Sequence, residues 1–157
     1  MQFTEHTHCD AIMSYASGTD GTEAVQVSLR DGRQTDGLSW EENGFELLTH
    51  ESSVNDWTHD EAIKRIYYPE MEALAKSLTD SDVALISGHI LRNPESAQKH
   101  ADYAPIQFVH SDFTENYGDL LKSRYEDSEE GALQALERAG LSGTDVQNSK
   151  RLLILQF

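Results

Sequence analysis

His110 and Asp112 stand two residues apart in the stretch Gln107-Phe108-Val109-His110-Ser111-Asp112-Phe113-Thr114, directly after an apolar run. On an extended strand, side chains at i and i+2 point to the same face, so this pair can offer an imidazole nitrogen and a carboxylate oxygen to one metal ion. With a distant third histidine such a pair completes a 2-His-1-carboxylate triad, which leaves positions on Fe(II) open for a co-substrate and O₂. The spacing also fits a plainer structure, a strand end whose aspartate caps the following turn. Imidazole and carboxylate suit Fe, Mn and Zn alike, so residue type does not select the metal.

Other residues carry weaker chemistry. His89 sits in the apolar run Asp82 to Leu91 (DVALISGHIL), where a strand histidine is hydrogen-bonded in a core, lines a pocket or reaches a metal. Arg92 follows it with a forked guanidinium that suits either a substrate or co-substrate carboxylate or a surface ion pair. Tyr68, next to Pro69, can shape a substrate pocket where a helix breaks, while Tyr67 reads as core. Thr114 and Tyr117 follow the His-x-Asp pair closely enough to hydrogen-bond near it, and Gly118 equally allows a plain turn. His6 and His8 lie beside Cys9 and Asp10 in an aperiodic stretch, and His50, His59 and His100 fall in connections or helix starts, where solvation is the simpler role. No phosphate-cradling glycine loop, Cys-x-x-Cys or serine-histidine-acid arrangement stands out.

The elements that must hold these residues follow from periodicity. Residues 1–23 mix small polar groups, histidines and glycines and read as an irregular arm. Thr22 to Leu29 alternates Val25, Val27 and Leu29 with polar or small neighbours, the pattern of a half-buried strand, and Asp31-Gly32 closes it. Gly44 to Thr49 reads as a second strand. Thr58 and Glu61 form a capping-box pattern that predicts a helix start, and Pro69 predicts a break near Tyr68. Met71, Leu74, Ala75 and Leu78 continue an apolar face beyond it. Asp82 to Leu91, Pro105 to His110 and Arg151 to Phe157 read as further strands, with a polar connection over Asn93 to Tyr103. Glu126 to Gly143 reads as a helix with Asp127 or Ser128 as cap, Leu133, Leu136 and Ala139 as its face, and Gly140 as its stop.

The 157 residues suit one domain. Twelve Lys and Arg against 28 Asp and Glu give a net charge of −16, which repels nucleic-acid backbones and anionic membrane surfaces. No apolar run reaches the roughly 18 residues of a membrane span, and no signal pattern opens the chain. The lone Cys9 fits a reducing compartment, and a cytoplasmic location is expected.

Four segments, in order, resemble a known family: Asn43 to Leu47 (NGFEL), Arg65 to Glu70 (RIYYPE), Gly88 to Arg92 (GHILR) and Val109 to Thr114 (VHSDFT). In these the chain from about Asp36 onward resembles the non-haem iron, 2-oxoglutarate-dependent oxygenases that include the cephalosporin 7-hydroxylase component, gibberellin desaturase-like proteins and endoperoxide-forming meroterpenoid oxygenases. The resemblance implies His110 and Asp112 as the first two iron ligands, Fe(II) and 2-oxoglutarate as cofactors, and a small secondary metabolite as substrate. It implies an α+β chain whose residues 24–157 form part of a double-stranded β-helix, or jelly roll, with flanking helices. Family members continue past a strand like Arg151 to Phe157 into a segment that supplies the distal histidine and a basic residue for the 2-oxoglutarate carboxylate. None of the seven histidines here follows His110, so the expectation is the N-terminal portion of such an enzyme. The competing expectation is a non-catalytic jelly-roll-like module that binds a small molecule or forms a homodimer through its apolar terminal strand.

Overall fold

The computed structural model describes residues 7–18, 21–92, 106–126 and 130–157. Two compact units divide the chain: one takes Met1–Glu51 and Pro105–Asp112, the other Ser52–Ala104 and Phe113–Phe157.

The first unit is built on an antiparallel hairpin of β1 (Thr7–Ser17) and β2 (Gly21–Arg30). Ala11 faces Val27 and Met13 faces Val25, and these four half-buried side chains line one side of the ribbon. Two glycines make the reversal possible. Gly18 takes φ 64°, and at Gly21 a Cβ would lie 2.8 Å from the Ser17 carbonyl oxygen. The second strand matches the alternation read from sequence. The first does not: most of the segment expected to be an irregular arm is a strand. Its Ala11, Met13 and Tyr15 carry the period of two, and pairing with β2 satisfies a backbone that side-chain composition alone left unassigned.

After β2, Asp31 caps a 3₁₀ turn, Gly32–Gln34, by accepting the Arg33 amide at 2.9 Å. Ser39 caps the short helix α1 (Trp40–Asn43), which Gly44 ends at φ 78°. Gly44 to Thr49, expected as a strand, has no strand partner among the described residues, and Phe45 and Leu47 are exposed.

The second unit holds every buried apolar residue among the described residues: Val54, Ile63, Tyr68, Met71, Ala132, Ala135, Leu136 and Val146. Its main helix runs as α2 (Asp60–Ala62), a π-helical stretch Ile63–Tyr67, and α3 (Tyr68–Thr79). The start differs from the capping-box expectation. Thr58 instead donates its amide and hydroxyl to Asp56, and His59 becomes the cap, its Nδ1 accepting the Ala62 amide at 3.2 Å. The expected break at Tyr68-Pro69 is absorbed without interruption. A proline ring crowds the carbonyl four residues back, and the wider π turn before Pro69 relieves that crowding while the helix continues.

Three further helices of this unit lie among the described residues: α4 (Tyr117–Glu126), α5 (Glu130–Ala139) and α6 (Gly143–Gln147). The caps expected at Asp127 or Ser128, the Asn93 to Tyr103 connection, and His6 and His100 lie outside the described residues. Gly140 stops α5 at φ 66°, as expected. The buried face of α5 is Ala132, Ala135 and Leu136, whereas Leu133 and Ala139, expected inside, are exposed. Small residues rotate inward because the helix comes close to the chain at Ser87: a Cβ on Gly131 would lie 2.5 Å from the Ser87 carbonyl oxygen. Asp82 to Leu91 and Arg151 to Phe157, expected as strands, are irregular, and Ile90, Leu152, Leu153 and Phe157 are exposed. Strand propensity describes how a side chain fits a pleated surface and needs a neighbour to express it.

The two faces of α5 give a direct test. Leu136 is 3% exposed and Leu133 40%. Urea unfolding should show Leu136→Ala costing about 2–5 kcal/mol, and Leu133→Ala changing stability by no more than ~0.5–1 kcal/mol. Equal costs would contradict the observed helix face.

Candidate functional site

In the first unit, the segment that carries His110 is fixed by a single bridge. Val109 lies parallel to β1: its amide donates to the Ser14 carbonyl at 2.7 Å, and its carbonyl accepts the Ala16 amide at 2.8 Å. The strand expected over Pro105 to His110 is reduced to this one position among the described residues. It is enough to set the backbone just before the histidine.

His110 and Asp112 come together, though on an irregular stretch rather than on the strand that their spacing implies. His110 Nε2 lies 3.2 Å from Asp112 Oδ1, and Nδ1 lies 3.1 Å from the Phe108 carbonyl oxygen. The Phe108 ring leans on the imidazole with centroids 4.9 Å apart. Among the described residues, both polar neighbours of this imidazole are acceptors. A neutral ring owns one N–H and can satisfy only one of them. With Nδ1–H donating to Phe108, Nε2 presents its lone pair on the side of the Asp112 carboxylate. This arrangement is that of a metal-binding histidine, whose remote N–H is held by a carbonyl so that the other nitrogen is free to ligate. The distance fits as well: ligands bound cis at about 2.1 Å stand about 3.0 Å apart. Thus the donor pair suits two adjacent positions on one ion. Among the described residues no group of three or more His, Cys, Asp or Glu side chains could hold a metal.

In the second unit, His89 and Tyr68 form a different kind of site. The Tyr68 hydroxyl and His89 Nδ1 are 2.8 Å apart, and His89 Nε2 is 3.3 Å from Asp60 Oδ1. Here a neutral imidazole meets every demand: Nδ1 accepts from the phenol, and Nε2–H donates to the carboxylate. Lys64 also engages Asp60 at 2.6 Å, and this hydrogen bond, foremost, holds the Asp60 carboxyl below its usual range. The Tyr68 ring is buried between His89, edge-on at 5.7 Å, and the Arg138 guanidinium, 5.4 Å from the ring centroid. Burial raises the Tyr68 phenol above its ordinary value, with Asp60 adding to the shift and Lys64 and Arg138 opposing it.

Arg138 also donates to the Ile86 carbonyl at 2.8 Å and to Glu72 Oε1 at 3.0 Å, while that carboxylate oxygen accepts the Ile86 amide at 3.3 Å. The irregular segment through His89 is therefore clamped at Ile86, Ser87 and His89. Arg92 is exposed at the end of that segment, and Thr114 lies before α4, its carbonyl accepting the Tyr117 amide at 3.0 Å. Asp60, Glu72 and Arg138 were not singled out from sequence. Arg138 lies 70 positions after Tyr68, and no local pattern announces that pairing.

A family profile described as an oxidoreductase/YMDC permease-like domain matches residues 4–138. The chain is also similar to alpha-ketoglutarate-dependent dioxygenase phiK of Fungal sp. (strain ATCC 74256), 31% identical over 101 residues, which is 60% of this chain and 36% of that protein. The match thus spans about a third of the curated relative's length. No solved structure matches. Both matches support the broad resemblance to 2-oxoglutarate-dependent oxygenases.

The Tyr68 environment predicts an alkaline effect. A phenol whose folded pKa is raised contributes stability below its unfolded value, about 10, and loses it as pH rises toward the folded value. Urea unfolding between pH 8 and 11 should show stability falling, and Tyr68→Phe should flatten part of that fall. Tyr67 and Tyr125, raised by burial, and Lys64, raised by its hydrogen bonds to Asp60 and Glu61, contribute to the remainder. An unchanged slope in the variant would contradict the burial of this phenol.

Proposed function

We propose, from the premise that this chain belongs to the family described as the oxidoreductase/YMDC permease-like domain, that it bears the first two iron ligands of a 2-oxoglutarate-dependent oxygenase acting on a small organic metabolite. The observation that carries this reading is the acceptor-only surrounding of His110, with Phe108 O on one nitrogen and Asp112 on the other. Similarity to a named alpha-ketoglutarate-dependent dioxygenase supports Fe(II) and 2-oxoglutarate as its cofactors. When bound, these supply the oxidation of an organic substrate by O₂.

What the chain's own residues do is narrower. Phe108 O holds the imidazole by Nδ1–H and aims Nε2; Asp112 provides the second donor and its charge; the bridge at Val109 keeps both in place. His89, with both nitrogens engaged, serves as a clamp for the segment that ends in Arg92. The jelly roll remains part of the proposal. Gly44 to Thr49, Asp82 to Leu91, Pro105 to His110 and Arg151 to Phe157 would be its strands once neighbours pair with them. No helix among the described residues is long and apolar enough to cross a membrane, and we place the protein in the cytoplasm on its lone cysteine.

A second reading, a binding or dimerisation module, draws on the exposed Leu152, Leu153, Ile154 and Phe157 of the terminal segment. An apolar segment with unpaired backbone is a template for a second copy.

Thermal unfolding under anaerobic conditions separates the two readings. Fe(II) or Mn(II) should raise the melting temperature, and His110→Ala and Asp112→Ala should each remove that rise. With two donors the effect should appear only at high metal concentration. A discrete dimer in light scattering, with no metal response or the same response in Asp112→Ala, would favour the module.

A further inference from the structure

Val109 decides on which side of the β1–β2 hairpin the metal pair stands. It is half-buried, as are its bridge partner Tyr15 and the ribbon's Ala11, Met13, Val25 and Val27. Phe108 and His110, one residue to either side of it, share the other side, with their rings 4.9 Å apart. A slip of one residue in the bridge would exchange the two sides and turn His110 toward the apolar one. What fixes the bridge is small: the Val109 amide donates to the Ser14 carbonyl at 2.7 Å, and the Ala16 amide donates to the Val109 carbonyl at 2.8 Å. Apolar packing adds little around it, for Ile106 is 54% and Phe108 43% exposed. The N–H and C=O of one strand residue point to the same edge, so Ser14 and Ala16 turn theirs toward Val109 and face Ala24 and Thr22 of β2 as non-hydrogen-bonded pairs. The Ala16 amide therefore serves the bridge and takes no part in the hairpin ladder.

We infer that the Ala16 amide is a positioning group of the metal pair, and that closure of the Tyr15–Val109 bridge and occupancy of His110 and Asp112 by a divalent cation stabilise each other. The inference rests on the proposed reading of His110 and Asp112 as metal ligands. With the bridge closed, both donors are held on one side of the ribbon, 3.2 Å apart. With it open, the donors remain but the backbone that aims them is free. Apparent metal affinity then scales with the fraction of chains in which the bridge is closed, and a bound cation raises that fraction by the same factor. The hairpin acts as a clip: it sets the affinity of a site far along the chain and tightens when that site is filled.

Two proline variants of the full chain test the link, with Mn(II) as the probe. Free ion is counted by electron paramagnetic resonance, and the site is defined as the binding that Asp112→Ala removes. Ala16→Pro deletes the donor to Val109 while sparing the ladder, since proline is tolerated where the N–H faces away from the paired strand. Ala24→Pro makes the same change directly opposite Ser14, where the amide faces the outer edge of β2. Ala16→Pro should weaken Mn(II) about threefold to tenfold, the worth of one hydrogen bond, and Ala24→Pro by less than about twofold. In the unsubstituted chain, saturating Mn(II) should slow amide hydrogen exchange at Ala16 and Val109 about threefold to tenfold, and Asp112→Ala should abolish that slowing. The exchange measurement decides the matter even if Ala16→Pro unfolds the hairpin. Wild-type affinity in a folded Ala16→Pro, an equal loss in Ala24→Pro, or exchange that ignores the metal would overturn the inference and leave the ligand pair standing. Absence of any Mn(II) binding that depends on Asp112 would overturn both.

Discussion

Burying the Tyr68 ring while keeping its hydroxyl satisfied is the constraint around which the second unit is organised. A phenol in an apolar interior must find a partner, and here it finds His89. That bond fixes the imidazole, which reaches Asp60 at the start of the same helix, so a connection 21 residues away is tied to both the first turn and the middle of one element. Arg138 covers the ring from α5 and donates from one terminal nitrogen to both Glu72 and the Ile86 carbonyl. Helix, irregular segment and second helix thus share one set of polar contacts around one aromatic ring. The π-helical stretch belongs to the same solution, since it lets Pro69 follow Tyr68 without ending the helix.

The two histidines show how hydrogen-bond accounting separates structural from functional candidates. His89 faces a phenol, which can donate, and a carboxylate, which accepts, and a neutral ring satisfies both. His110 faces a carbonyl and a carboxylate, and a neutral ring does not. The difference lies in the partners rather than in exposure, for both side chains are only partly accessible. That acceptor-only environment beside a carboxylate is the observation from which a bound cation is proposed.

Much of the secondary structure was legible where periodicity and punctuation agreed. β2 matched its alternation, Gly140 stopped α5, and the apolar face of α3 fell on Met71, Leu74, Ala75 and Leu78. β1 was missed because histidines and glycines around it masked a period of two in Ala11, Met13 and Tyr15. Gly44 to Thr49, Asp82 to Leu91 and Arg151 to Phe157 share one cause of failure: each has the side chains of a strand, and none has a neighbouring strand among the described residues to receive its backbone hydrogen bonds, while Pro105 to His110 meets β1 only at Val109. Leu133 was placed on the wrong face of α5 because periodicity favoured the largest residues, whereas close approach at Ser87 favoured glycine and alanine.

The sequence by itself determined the spacing of His110 and Asp112, the acidic character of the chain and the order of motifs that links it to an oxidoreductase family. These are local or compositional properties, written in consecutive residues. Only the tertiary structure decided that Asp60 and Tyr68 hold His89 and that Arg138 closes over a ring 70 positions away. Such contacts depend on how the backbone folds back on itself, and the energy of each belongs to a pair that no single stretch of sequence contains.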